Sequence, residues 1–160
     1  MNETLVDSNV LFDFLSEDEE WSDWSSARLA EAAEHGHVVI NPIIYAEVSV
    51  RYERIEDLNE ALSSEYFVRA PLPWEAAFVA AKAFDKYRRR GGVKRSPLPD
   101  FFIGAHAAVA GMTLLTRDPR RYRRYFPKLK IVSPSFSSSR SDPSDRPRVS
   151  ERRTRQSRRR

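Results

Sequence analysis

Short apolar runs alternate with helical segments along most of this chain, and that alternation constrains the fold more than any other feature. Thr4-Leu5-Val6, Val38-Val39-Ile40, Tyr66-Phe67-Val68, Thr113-Leu114-Leu115 and Lys130-Ile131-Val132 each read as a short strand. Between them lie segments of helical character, at about 10–15, 24–34, 43–54, 55–62, 74–90, 100–109 and 119–125. Gly36, Gly91-Gly92 and Gly111 stand where three of these helices should stop, and Asn41-Pro42 stands where one should start. Strands that are apolar throughout have to be covered on both faces. The expectation is an α/β fold, a three-layer α/β/α sandwich with a mostly parallel central sheet. In such sheets ligands collect beyond the carboxyl ends of the strands.

The pattern occupies residues 1–132, enough for one domain with a sizeable core. From residue 133 to 160 the composition changes to Ser, Arg and Pro, with little apolar beyond Phe136 and Val149. Such a segment cannot bury enough surface to offset its ordering entropy, so a disordered Ser/Arg-rich basic tail is expected there. The chain has no cysteine, which excludes disulfides, thiolate metal sites and thiol nucleophiles. Its first residues carry no basic segment leading into an apolar one, and no apolar run approaches membrane-spanning length. A cytoplasmic protein without a membrane partner is therefore expected. Charge is sharply divided. Residues 1–81 are strongly acidic and residues 82–132 strongly basic, so the net charge of +4 describes neither part.

Four acids stand out against this pattern: Asp7, Glu47, Asp100 and Asp118. Asp7 follows the first strand and Asp118 closely follows the fourth. Glu47 lies on a helix face shared with Ile43, Ile44 and Val50, and Asp100 opens a helix after Pro99. Each has an ordinary explanation. Asp7 and Asp100 could cap helices, Asp118 could belong to a turn, and Glu47 could pair with Arg51 four residues on. Taken together, carboxylates at such places need a shared partner, because an uncompensated charge in a semi-buried position is costly. Mg²⁺ or Mn²⁺ is the simplest partner, since both prefer carboxylate and water oxygens. Ser8 and Asn9 beside Asp7, and Thr116 beside Asp118, are candidate supporting hydrogen-bond groups.

The residues around these acids form an ordered set. Val6-Asp7-Ser8-Asn9-Val10-Leu11 comes first, then Ala46-Glu47-Val48, then Pro99-Asp100-Phe101-Phe102-Ile103-Gly104-Ala105-His106-Ala107, and last Leu115-Thr116-Arg117-Asp118. In this the chain resembles PIN-domain ribonucleases over about residues 3–132, and among them the VapC-type toxins of toxin–antitoxin pairs. The resemblance implies that Asp7, Glu47, Asp100 and Asp118 are the catalytic, metal-binding acids of a Mg²⁺- or Mn²⁺-dependent endoribonuclease. It further implies an RNA substrate, a cognate VapB-type antitoxin and a homodimer. The alternatives within the family are a housekeeping nuclease of RNA processing and a catalytically inactive RNA-binding domain. The Ser/Arg tail departs from the family pattern.

Basic residues cluster next to the later acids. Arg88, Arg89, Arg90, Lys94 and Arg95 precede Asp100, while Arg117, Arg120 and Arg121 surround Asp118. They are candidate phosphate contacts, with a solvated helix face as the plainer explanation. Tyr122 and Tyr125 could stack on bases, with packing the plainer reading. Trp21, Trp24 and Trp74 read as core or interface residues, and His106 reads as a packed or partly exposed side chain and not a ligand. Two other enzyme classes fit less well. A phosphatase with Asp7 as nucleophile usually wants a second acid two residues on, where this chain has Asn9. A nucleotide-binding module lacks its glycines, because none of the five forms GxGxxG or a P-loop.

Overall fold

The computed structural model describes residues 2–135. The expected tail lies, beyond Ser135, outside the described residues. Twelve elements alternate as the sequence pattern predicts: β1 (Asn2–Val6), α1 (Ser8–Ser16), α2 (Ser22–His35), β2 (Gly36–Ile40), α3 (Pro42–Ser49), α4 (Ile55–Ala61), β3 (Phe67–Arg69), α5 (Trp74–Arg89), α6 (Pro99–Ala110), β4 (Thr113–Leu115), α7 (Arg120–Tyr125) and β5 (Ile131–Val132). The strands form one sheet in the order β3-β2-β1-β4-β5, and every pairing is parallel. Helices flank the sheet, so its strands need no polar face. Leu5, Val6, Val39, Ile40, Leu114 and Leu115 are all buried.

The strand order places the functional edge. From β1 the chain steps outward through β2 to β3, then crosses back to lay β4 on the other side of β1. The direction of winding reverses between β1 and β4, which opens a crevice beyond their carboxyl ends. Val6 pairs with Leu115 across these strands, and the Asp7 amide donates to the Leu115 carbonyl at 2.9 Å. Asp7 and Thr116 therefore leave the sheet side by side.

Local chemistry explains where several elements begin and end. Asn41 caps α3 by accepting from the Ile44 amide at 2.9 Å, with Pro42 at the first helical position. That helix stops at Ser49, short of the expected residue 54. The Ser49 hydroxyl donates to the Tyr45 carbonyl at 2.6 Å and competes for the backbone acceptor of the last turn. Gly36 does not end a helix with a loop. It opens β2 directly, and a Cβ there would stand 1.7 Å from the Asn2 carbonyl oxygen of β1. Gly104 serves the site more directly, because a Cβ on that turn of α6 would meet the Phe126 ring at 2.4 Å and Tyr122 at 3.1 Å. Its absence lets α7 lie close on α6. Trp74, expected in the core or at an interface, lies outside the core, 90% exposed at the start of α5. Among the described residues no helix is long and apolar enough to cross a membrane.

Candidate active site

Asp7 both caps a helix and faces the crevice. One carboxylate oxygen, Oδ1, accepts from the Ser8 amide at 2.8 Å, which starts α1. The other, Oδ2, collects the Thr116 hydroxyl at 2.9 Å, the Tyr122 hydroxyl at 2.9 Å and the Asn9 side-chain amide at 3.4 Å. Asp7 is nonetheless buried, and that burial pushes its carboxyl above the usual range in spite of these donors.

Glu47 reaches the same place from α3. Its Oε1 accepts from the Ser8 hydroxyl at 3.1 Å. Burial, with the negative charges of Asp7 and Asp100 nearby, raises its carboxyl from 4.5 to about 7. The plain pairing with Arg51 is not made. Beyond the end of α3 the Arg51 guanidinium lies 3.9 Å from the centre of the Phe12 ring. Asp100 does not cap its helix either, since α6 begins at Pro99 with Leu98 before it. One Asp100 oxygen stands 3.5 Å from the Tyr122 hydroxyl, and the other accepts from Arg121 at 2.9 Å. Asp118 lies exposed just before α7 and accepts from Arg120 Nε at 3.1 Å. That contact holds its carboxyl below the ordinary range.

All four acids line one open cleft of about 570 Å³ at the carboxyl edge of the sheet. Ser8 and Asn9 also line it, and Arg120, Arg121 and Arg124 form its basic side. Thr116 is buried beneath. The other candidate cations lie elsewhere. Arg88 donates to the Lys94 carbonyl at 2.9 Å, Arg89 pairs with Asp85 at 3.1 Å, and Arg90 lies over the Tyr125 ring. Lys94 and Arg95 are exposed in the loop that follows. Arg117 turns away from the cleft onto Asp13, 2.6 Å from its Oδ2.

A family model described as "PIN domain" matches residues 4–127. The chain belongs to the PIN-domain family. Among solved structures, VapBC2 from Rickettsia felis bound to a promoter DNA fragment is similar at 16% identity with a TM-score of 0.65, covering 83% of this chain and 99% of that one. DNA-bound VapBC from Salmonella typhimurium gives 17% and 0.62, covering 83% and 98%. A toxin–antitoxin complex from Klebsiella pneumoniae gives 23% and 0.57, covering 82% and 98%. No curated protein matches the chain by sequence. At these identities the neighbours establish the fold.

This PIN domain offers oxygen donors of the kind a hard divalent cation takes. Among the described residues, no three acid or histidine side chains stand together in an arrangement that could hold an ion as placed. The donor chemistry still fits one. Asp7 and Glu47 have elevated proton affinities, caused first by burial and then by the neighbouring carboxylates. A cation would relieve both causes. Tyr122 is a cleft residue whose contact with the acids its sequence context hides. It lies within Arg120-Arg121-Tyr122-Arg123-Arg124, where an amphipathic reading sees only a packed ring. The ring does pack, at 1% exposure, but its hydroxyl bonds Asp7 and approaches Asp100. Burial and the surrounding carboxylates raise that hydroxyl well above its ordinary value, so it remains a donor. His106 is packed as expected, with Nδ1 3.0 Å from the Asn41 side-chain amide.

Proposed function

We propose that this PIN domain is a Mg²⁺- or Mn²⁺-dependent endoribonuclease, acting as the toxin of a type II toxin–antitoxin pair. The observation that carries the reading is the meeting of Asp7, Glu47 and Asp100 in one crevice, where burial and mutual repulsion strain the first two. Asp7, Glu47 and Asp100 would hold the cation, with Asp118 at the rim. The bound ion would supply hydroxide near neutral pH and offset charge on the scissile phosphate.

The chain's own groups do the remainder. The Thr116 and Tyr122 hydroxyls fix Asp7 Oδ2, and the Ser8 hydroxyl fixes Glu47. Below about pH 7 Glu47 keeps a proton that has to leave before the carboxylate can act as a ligand. Arg120, Arg121 and Arg124 line the side along which a phosphate backbone would run. The toxin assignment draws on the solved relatives, which were crystallised as VapBC or toxin–antitoxin complexes. A VapB-type antitoxin would then be the natural partner in the cytoplasm.

The test is cleavage of total RNA by the full chain with Mg²⁺ and with EDTA. Cleavage that needs the metal and vanishes in Asp7→Asn is expected. Equal cleavage in every condition would remove the nuclease reading. A neighbouring reading frame for a small DNA-binding protein that blocks cleavage is expected for a toxin, and its absence would favour an RNA-processing role.

A further inference from the structure

The acids are held by a network that continues outward to an ion pair, with a buried acid and a half-buried arginine, that the cleft does not use. Asp13, from α1, is 2% exposed. Its Oδ2 takes the Ser25 hydroxyl of α2 at 2.7 Å and stands 2.6 Å from Arg117 Nε. The Arg117 guanidinium also lies 5.2 Å from the centre of the Trp21 ring. A carboxylate this deeply buried has to keep its charged partner, because losing one member leaves an uncompensated charge. Arg117 is thereby fixed facing away from the cleft.

The consequence lies one residue to either side. β4 ends at Leu115 and the chain bends at Arg117, so the residues on either side are placed by the contacts made there rather than by a regular strand. With residue 117 held outward, Thr116 turns under Asp7 and Asp118 comes to the rim. The backbone closes the arrangement. The Arg117 amide donates to Asn9 Oδ1 at 3.1 Å, and the Asp118 amide donates to Thr116 Oγ1 at 3.2 Å. Asn9 Nδ2 in turn reaches Thr116 Oγ1 at 3.2 Å and Asp7 Oδ2 at 3.4 Å.

We infer that Asp13 and Arg117 are positioning residues, an ion pair that sets Thr116 and Asp118 against Asp7, and that Arg117 is not an RNA contact. The inference rests on the metal-site reading above and assigns the pair to that site. Partners that orient ligands through a second layer of contacts typically change metal affinity by about 10- to 100-fold when lost.

The variants are Arg117→Gln, Asp13→Asn, both together, and the conservative Arg117→Lys, each in the full chain. Three quantities are measured: Mn²⁺ affinity by calorimetry, amide exchange at residues 117 and 118, and the salt slope for binding a single-stranded RNA oligonucleotide in EDTA. Either single variant should weaken Mn²⁺ about 10-fold, with the double variant no worse than the weaker single. Exchange at 117 and 118 should quicken while the core strands stay protected, and the salt slope should not change. Arg117→Lys should retain most of the affinity. An intact Mn²⁺ affinity with a slope reduced by about one would make Arg117 a phosphate contact and overturn the inference. Unchanged exchange in folded variants would overturn it as well. If the wild type takes no Mn²⁺, the metal reading fails, while exchange still judges the pair. If Arg117→Gln does not fold, Asp13→Asn and the double variant carry the same measurements, and wild-type exchange at 117 and 118 in either would overturn the inference.

Discussion

Asp7 and Asp118 follow neighbouring parallel strands, reach the same cleft and carry the same functional group, yet their surroundings act on them in opposite directions. Asp7 sits at the point where the winding of the sheet reverses, held by the Thr116 and Tyr122 hydroxyls, and burial lifts its carboxyl above the usual range. Asp118 sits two residues further from its strand, in solvent, and Arg120 pulls its carboxyl down. Exposure makes the difference. Hydrogen bonds to Asp7 lower its proton affinity too, but desolvation outweighs them. Asp7, raised by burial, has more to gain from a cation than exposed Asp118, whose charge Arg120 already offsets.

The sharpest way to break this contrast is to neutralise each acid in turn. If Asp7 is the central ligand, Asp7→Asn should lower RNA cleavage by a factor on the order of 10³ or more, the scale on which a principal charge at a reacting centre acts. Asp118→Asn should cost closer to 10-fold, as for a group that supports ligands. The measurement is the single-turnover cleavage rate in saturating Mg²⁺. Equal losses would mean that Arg120 releases Asp118 when metal and RNA arrive, and that the two acids are equivalent.

How much of this is legible in the sequence differs between the two sides. The strands, their order of appearance and the α/β architecture can be read because each strand contains a short apolar run and several helices are bounded by marked residues, such as Asn41-Pro42 or Gly111. The four acids can be read as a set. Their individual states cannot. Whether Glu47 pairs with Arg51 depends on where α3 ends, and it ends at Ser49, before Arg51. Whether Arg117 faces RNA depends on Asp13, far earlier in the chain, which looks in sequence like any acid on an amphipathic helix. Tyr122 among four arginines gives no sign that its hydroxyl reaches Asp7 across 115 positions. Pattern along the chain reports elements and periodicity, whereas these contacts are made between elements.

A second test removes one of the donors that hold Asp7. Tyr122→Phe keeps the packed ring against α6 and deletes only the hydroxyl, leaving Asp7 Oδ2 and Asp100 without that donor. A buried acceptor that loses a partner typically costs about 1–3 kcal/mol. Urea unfolding in EDTA should show a loss of that size, and saturating Mn²⁺ should recover part of it by binding only the folded state. No counterpart exists on the exposed side, where Arg120→Ala should change stability by less than about 1 kcal/mol. A neutral Tyr122→Phe would mean that Asp7 is satisfied by Thr116 and Ser8 alone.

The smallest expected effect is on pH, and its sign distinguishes the two sides. Glu47 has a folded-state value of about 7 against an ordinary 4.5, and Asp7 is moved in the same direction. Between those values Glu47 holds more of its proton in the folded protein than in the unfolded chain, so its contribution to metal-free stability falls as pH rises from about 4.5 to about 7 and then levels off, while His106, pushed down by burial, contributes in the opposite sense. Asp118, moved downward, acts in reverse and only at lower pH, where stability is lost as its carboxylate protonates. A tenfold change in proton affinity on folding corresponds to about 1.4 kcal/mol, and since Glu47 is only half-buried its share is roughly 1–2 kcal/mol. Urea midpoints in EDTA at about pH 5 and about pH 8 should therefore differ less in Glu47→Gln than in the wild type, with the variant the more stable of the two at the higher pH. Excess Mn²⁺ should flatten the wild-type slope, because a cation removes the repulsion that raises Glu47. A difference between about pH 5 and about pH 8 that is the same in Glu47→Gln as in the wild type would show that Glu47 is not strained.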